Sequence, residues 1–251
     1  MKKTILAMFG TAILLAGCEK DDLEETHENL VGPDGANTVV AMSMSFTHDG
    51  AAFDTSMVLT DVQGVRYKLE QLRFYMGHFD FTNDNHDSVA SFPNKYLKVD
   101  LAEGGTIRNI GQLSGHLHDM SFGLGVDSVN NHADPATVEA PLGVNGMYWT
   151  WNQGYIFLAI DGRWDSNNDG QVGEGDQMLS YHPGRDSLYT PMVLQVHTDA
   201  DQGGNVVLPL DLNIDTLMAG IDIQALPVSH DVSDHTVRLM HQLSTAITHV
   251  Q

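Results

Sequence analysis

The chain has 251 residues, 12 Lys and Arg against 33 Asp and Glu, and a formal net charge of −21. A charge of that sign repels phosphate backbones, so nucleic acid is excluded as a partner, and a single cysteine permits neither an internal disulfide nor a multi-cysteine zinc site. With 42% hydrophobic and 18% charged residues, the sequence is that of a globular protein rather than a disordered one.

The N-terminus reads as a lipoprotein signal. Lys2 and Lys3 precede the apolar run Ile5 to Leu15, and Leu15-Ala16-Gly17-Cys18 follows as a lipobox. The apolar run is too short for a permanent bilayer span. Cleavage after residue 17 would make Cys18 the lipidated N-terminus and a membrane anchor, which takes it out of consideration as a metal ligand. Glu19-Lys20-Asp21-Asp22 has the lysine-then-acid character that sends some Gram-negative lipoproteins to the surface, and no Asp directly follows Cys18. The expected location is the outer membrane or cell surface. Residues 18–37 are polar, with Pro33 and Gly35, and read as a flexible tether. Residues 38–251 then form a single β domain.

From Thr38, residues Val40, Met42, Met44 and Phe46 alternate with small or polar neighbours, the period of a half-buried strand. Met57 to Leu59, Tyr67 to Phe81, Leu97 to Leu101, Met120 to Val126, Tyr155 to Ile160, Met192 to Val196 and Val206 to Leu212 continue the β pattern. Turns are expected at Asp49-Gly50, Gly104-Gly105, Asn145-Gly146, Asp161-Gly162 and Gly203-Gly204. Short strands with glycine-rich turns predict a mainly β fold, an antiparallel sandwich or a barrel-like sheet. A short helix is expected near Asp215 to Ala219. Ser233 or Asp234 as N-cap, followed by Val237, Met240, Leu243 and Ile247, predicts a C-terminal helix over 234–248.

Residues 165–176 resemble an EF-hand loop. Asp165, Asn167, Asp169 and Asp176 supply oxygens at positions 1, 3, 5 and 12, and the Gln171 carbonyl stands at position 7. Gly170 occupies position 6, where the chain must turn around the ion. Calcium is therefore an expected ligand. The flanks read as strands, so the ion would act as a structural staple, not as a switch between helices.

There are 13 histidines. His116-Leu117-His118 places two imidazoles on one face of a strand. His48, His78, His182 and His197 each lie on or beside an expected strand. Met42 and Met44 read as core before they read as copper(I) ligands. Trp149 and Trp151 flank Thr150 and read as anchors of a sheet.

Four segments resemble one family: KLEQLRFYMGHFDF (68–81), MSFGLGVDSVNN (120–131), PLGVNGMYWTWNQGYIFLAIDG (141–162) and the LQVH that ends at His197. The family is the MbnP-like copper-binding proteins, associated with methanobactin systems and related to copper-repressible surface proteins of methane oxidisers. The similarity spans residues 38 to 248. It implies an extracytoplasmic β-sandwich that binds copper through histidines and a tryptophan oxidised to kynurenine by a partner di-haem enzyme, with a role in metal uptake or handling. On this resemblance the copper candidates are His48, His78, His182 and His197, and the modifiable aromatic is Trp149 or Trp151. His197 matches the family's histidine in a late strand, with Thr198-Asp199 in place of the usual Leu-Gly. The family's Trp-x-His is replaced by Trp149-x-Trp151.

No nucleophile elbow, zincin helix, phosphate loop or dinucleotide fingerprint is present, so a binding role is expected rather than an enzyme. The alternative reading is a calcium-stapled surface module for a glycan or a protein, without a transition metal.

Overall fold

The computed structural model describes residues 38–143, 147–150 and 154–250. The signal segment, the tether with Cys18, the expected turn at Asn145-Gly146 and Trp151 lie outside the described residues. In chain order the strands are β1 (Thr38–His48), β2 (Ala51–Ala52), β3 (Leu59–Thr60), β4 (Arg66–Thr82), β5 (Ser88–Asp100), β6 (Arg108–Leu113), β7 (His116–Leu124), β8 (Tyr148–Thr150), β9 (Gly154–Tyr155), β10 (Leu158–Trp164), β11 (Gln177–Tyr181), β12 (Thr190–Asp199), β13 (Asn205–Asn213), β14 (Val228–Ser229) and β15 (Ile247–His249). The helices are α1 (Ser128–Asn131), α2 (Ile214–Met218) and α3 (Asp234–Ala246).

Two sheets carry the fold. One runs β15-β13-β1-β2, with β6 also on β1; the other runs β12-β7-β4-β10-β11-β14, with β3 and β5 also on β4. Both are open among the described residues, so the molecule is a sandwich and the barrel-like alternative is set aside. Its core is one continuous cluster. Met42, Met44, Leu208 and Leu210 of the first sheet pack in it with Phe74, Phe79, Leu124 and Leu158 of the second. Met42 and Met44 are fully buried there, which makes them packing residues and not metal ligands. Strand β4 is long enough to hold four neighbours. Phe74 pairs with Leu158 of β10 and Val99 of β5, and Met76 pairs with Leu97 of β5 and Leu124 of β7. Thus β10 and β7 follow each other along one edge of β4, opposite β5.

The pairing is mainly antiparallel, with two exceptions that the alternation pattern does not reveal: β1 runs parallel to β13, and β11 runs parallel to β14. Parallel partners need a long crossover, and these are joined only through intervening strands and helices. Asp161-Gly162 is not a turn. It lies within β10, at a bulge opposite β4, where a side chain at 162 would stand 2.0 Å from the Lys68 carbonyl oxygen. Only glycine permits that approach, so the strand continues to Trp164.

The C-terminal helix is capped by Ser233, whose side chain accepts from the Thr236 N–H in a capping box. It ends at Ala246, and Ile247 begins β15 on β13 instead of continuing the helix. The buried face carries Thr236, Leu239, Met240, Leu243 and Ala246, while Val237 is exposed.

The MSFGLGVDSVNN segment is scaffold. A Cβ at Gly123 would overlap the Tyr189 ring, and Gly125, at φ +100°, lies against Phe157. Asp127 caps α1 through the Val129 and Asn130 N–H groups. Asn131 is buried; its Oδ1 accepts from the Tyr155 N–H at 2.8 Å and its Nδ2 donates to Asp186 at 2.7 Å. This network fixes the β8–β9 ladder, and with it Trp149, against the end of the large sheet.

Candidate metal centre

The four candidate histidines do not converge. His48 ends β1, His78 stands at a bulge in β4, His182 follows β11, and His197 stands at a bulge in β12. Each belongs to a different surrounding.

His48 is held between two carboxylates, with Nδ1 2.5 Å from Asp215 and Nε2 3.6 Å from Asp49. Asp215 also accepts from the Asp49 N–H. This cluster has one imidazole and ties β1 to α2. His78 has φ +63° and lines a shallow cleft with Asp80, Tyr189 and Met192, with no second imidazole among the lining residues. His197 stacks edge-on against His118, with ring centroids 4.3 Å apart.

His182 has the surroundings expected of a copper site with an aromatic partner. The register places them. Asp161 of β10 pairs with Ser180 of β11, and Ser180 pairs with Val228 of β14. Side chains two apart share a face, so Ser180, His182, Asp161 and His230 all point to one side at this sheet edge. The ladder extends past the strands, since His182 N donates to Ser229 O at 2.9 Å. The Arg185–Asp231 ion pair closes the rim. The His182 and His230 rings are stacked 4.5 Å apart at an interplanar angle of 8°. Trp149 stands edge-on to both, with centroids 5.2 Å from His230 and 6.0 Å from His182.

The polar atoms meet at Ser180 Oγ. It donates to Asp161 Oδ1 at 2.7 Å and lies 2.9 Å from His230 Nε2 and 3.4 Å from His182 Nε2. His182 Nε2 is also 2.9 Å from Asp161 Oδ1. With the hydroxyl proton committed to Asp161, these distances are satisfied when each imidazole donates from Nε2. Burial, then the neighbouring His182, push His230 below its ordinary 6.5, against the pull of Asp161. Burial would raise Asp161, but the hydrogen bonds from His182 and Ser180 and the charges of His182 and Arg73 outweigh it and hold this carboxyl below its ordinary range. The site is thus a pair of close imidazoles, one favoured neutral, with a carboxylate and an indole. Neutral imidazole suits copper, so the donor set fits that metal.

Asp161, Ser180 and His230 were not among the sequence candidates. Asp161-Gly162 reads as turn chemistry, and His230 is brought to His182 only by the non-local β11–β14 pairing. The local signal was the Ser180-x-His182 alternation and the glycine that follows His182 two residues later.

The EF-hand-like loop joins β10 to β11, so its flanks are strands as expected. Gly170 has φ +82° at the turn position. Asp165 is 6% exposed and accepts from the N–H groups of Asp169 and Gly170. Asn167 Oδ1 accepts from Asp169 N–H, and Asp169 Oδ1 from Gln171 N–H. Asp176 faces Ser166 and the Gly173 N–H. The acidic side chains point inward and order the loop through its own backbone. The carboxylate oxygens of Asp165 and Asp169 each accept one hydrogen bond and keep a second lone pair for an ion, whereas Asp176 Oδ1 accepts from both the N–H and the hydroxyl of Ser166.

The sequence profile of the MbnP family matches residues 37–234. MbnP from Methylosinus trichosporium has a similar structure, with a TM-score of 0.54 over 79% of this chain and 82% of that one, at 17% identity. That identity supports likeness of fold alone. No curated protein matches the chain.

Proposed function

The chain belongs to the MbnP family, and on that premise we propose that it is a lipid-anchored, extracytoplasmic copper-binding protein whose ion is taken at His182, His230 and Trp149. One observation carries the reading: two imidazoles stacked at 4.5 Å with an indole edge-on to both. This is the composition that the family resemblance implies, histidines beside an oxidisable tryptophan. The missing Trp-x-His spacing is then no obstacle, because the fold supplies the neighbouring histidines from β11 and β14. His182, followed by Pro183-Gly184, takes the role that the resemblance implies for His197.

Copper here is cargo. His182 and His230 would hold it as neutral imidazoles, each through the ring nitrogen that carries no proton, so acid, which protonates that nitrogen, opposes loading. Asp161 and Ser180 keep the two rings on one side of the sheet. Trp149 has only an N–H donor and is a poor ligand as it stands. A partner di-haem oxidase converting it to kynurenine would give it a carbonyl and an amine. The Cys18 anchor would hold the protein at the outer membrane or cell surface, and the Asp165–Asp176 loop would take calcium as a staple of the β10–β11 connection.

The test is copper retained after dialysis under reducing conditions, with a mass spectrum of the Trp149 peptide. The expected result is one copper lost in both His182→Ala and His230→Ala, and a peptide heavier by the difference between one oxygen and one carbon after coexpression with the oxidase. Copper retained in both variants would overturn the site assignment.

A further inference from the structure

The opposite edge of the large sheet, β7 with β12, carries a second group of histidines, and we propose that it is a separate site for a divalent transition ion of zinc-like preference. His116 and His118 project from one face of β7, and the intervening Leu117 is fully buried. On β12 the register slips between Gln195, opposite Asp119, and Thr198, opposite Leu117. Val196 and His197 therefore share the place opposite His118. Such a bulge re-aims a side chain. Val196 stays buried, and His197 turns outward at φ +38° to stand beside His118. That backbone region costs about 1 kcal/mol or more for a residue other than glycine. The ring is exposed, and its contacts are with His118 and His116.

Asp84, in the turn between β4 and β5, faces the pair. Its carboxylate is 3.5 Å from His116 Nε2 and 3.8 Å from His118 Nε2. One ligand atom each from Asp84, His118 and His197 lie within 4.8 Å of one another. Tetrahedral zinc, with bonds of about 2.0–2.2 Å, spaces its ligand atoms roughly 3.4 Å apart. A small inward closure of the exposed Asp84 and His197 onto the half-buried His118 meets that requirement.

The far nitrogens of both rings are also engaged. His116 Nδ1 is 2.6 Å from Asp199 Oδ1, and His118 Nδ1 is 3.0 Å from Asp119 Oδ1. The second contact is off the line of a good hydrogen bond, which leaves that nitrogen short of a full partner. Carboxylates behind the rings, with Nε2 turned to a common point, are the arrangement that fixes the tautomer and orientation of metal-bound imidazoles. His118 and His197 with the Asp84 carboxylate, and His116 beside that carboxylate, form a harder set than the pair beside Trp149, which favours zinc(II) or copper(II) over copper(I) here. The overall negative charge adds attraction for cations.

Zinc stoichiometry of the full chain, by equilibrium dialysis and elemental analysis with calcium in excess, tests the proposal. It is measured in wild type and in His182→Ala/His230→Ala, which removes the Trp149 site. The double variant should retain one zinc. Adding His197→Gly, which relieves the positive φ and so favours folding, should abolish it, and Asp199→Asn should weaken it by about 10- to 100-fold. Zinc bound equally with and without His197, or no zinc retained by the His182→Ala/His230→Ala protein while its melting is unchanged, would overturn the proposal. Either outcome leaves the copper assignment to be decided by its own variants.

Discussion

His230 has no local feature that marks it in the sequence, yet it contributes a ring to the candidate centre and a prediction of its own. Its pKa lies below 6.5 in the fold because of burial and His182. As pH falls from 6.5, the unfolded chain therefore protonates this position before the folded chain does, and stability decreases. Asp161, held below its ordinary 3.8, adds a contribution that is present above that value and lost as pH falls through the lower folded one. His230→Gln, which keeps a donor for Ser180, should give a melting temperature that declines less between pH 7 and pH 5, as followed by circular dichroism. A residual slope is expected from His249, which burial and His197 also lower. At this scale the sequence offered Trp149 and His182 among several candidates and concealed the residues that the fold brings beside them. Residue type was informative, but proximity depended on sheet register.

Among the elements, the legible ones are those whose signal is local. The alternation of Val40, Met42, Met44 and Phe46 predicts β1, and the C-terminal helix is recognisable from Ser233 and its apolar spacing. Ser233→Ala removes the side-chain acceptor of the cap and should cost about 1 kcal/mol, read as a lower midpoint in urea. The Asp165–Asp176 loop is equally legible, because an EF-hand pattern is written in twelve consecutive residues. Calcium should raise the melting temperature and a chelator reverse it, with the response abolished in Asp169→Ala. A melting temperature indifferent to calcium would count against an ion there. The bulges at His197 and Asp161, and the parallel β11–β14 pair, are not legible. They arise where two strands of unequal local length must share a ladder, and a single strand's periodicity holds no record of its partner. Asp161-Gly162 shows the difficulty, since the residues of a tight turn are also those that tolerate a bulge.

At the scale of the whole molecule, the sandwich presents its two histidine groups on opposite edges of one sheet, with an acidic loop at the hairpin between β10 and β11. The family and the fold class were readable because their motifs, FGLGVD and the segment around Trp149, are scaffold that positions the centre. The scaffold does not disclose which histidine occupies it, and on the proposed reading His182 fills the position that the resemblance matches to His197. The central claim is that copper is taken by the ring nitrogens of the paired His182 and His230 at the Trp149 end of the sheet. It is tested most directly by copper bound per chain under reducing conditions in the His197→Gly background with calcium in excess, compared with the same protein carrying His230→Ala. One copper in the first and none in the second is the predicted result; equal copper in both would contradict it.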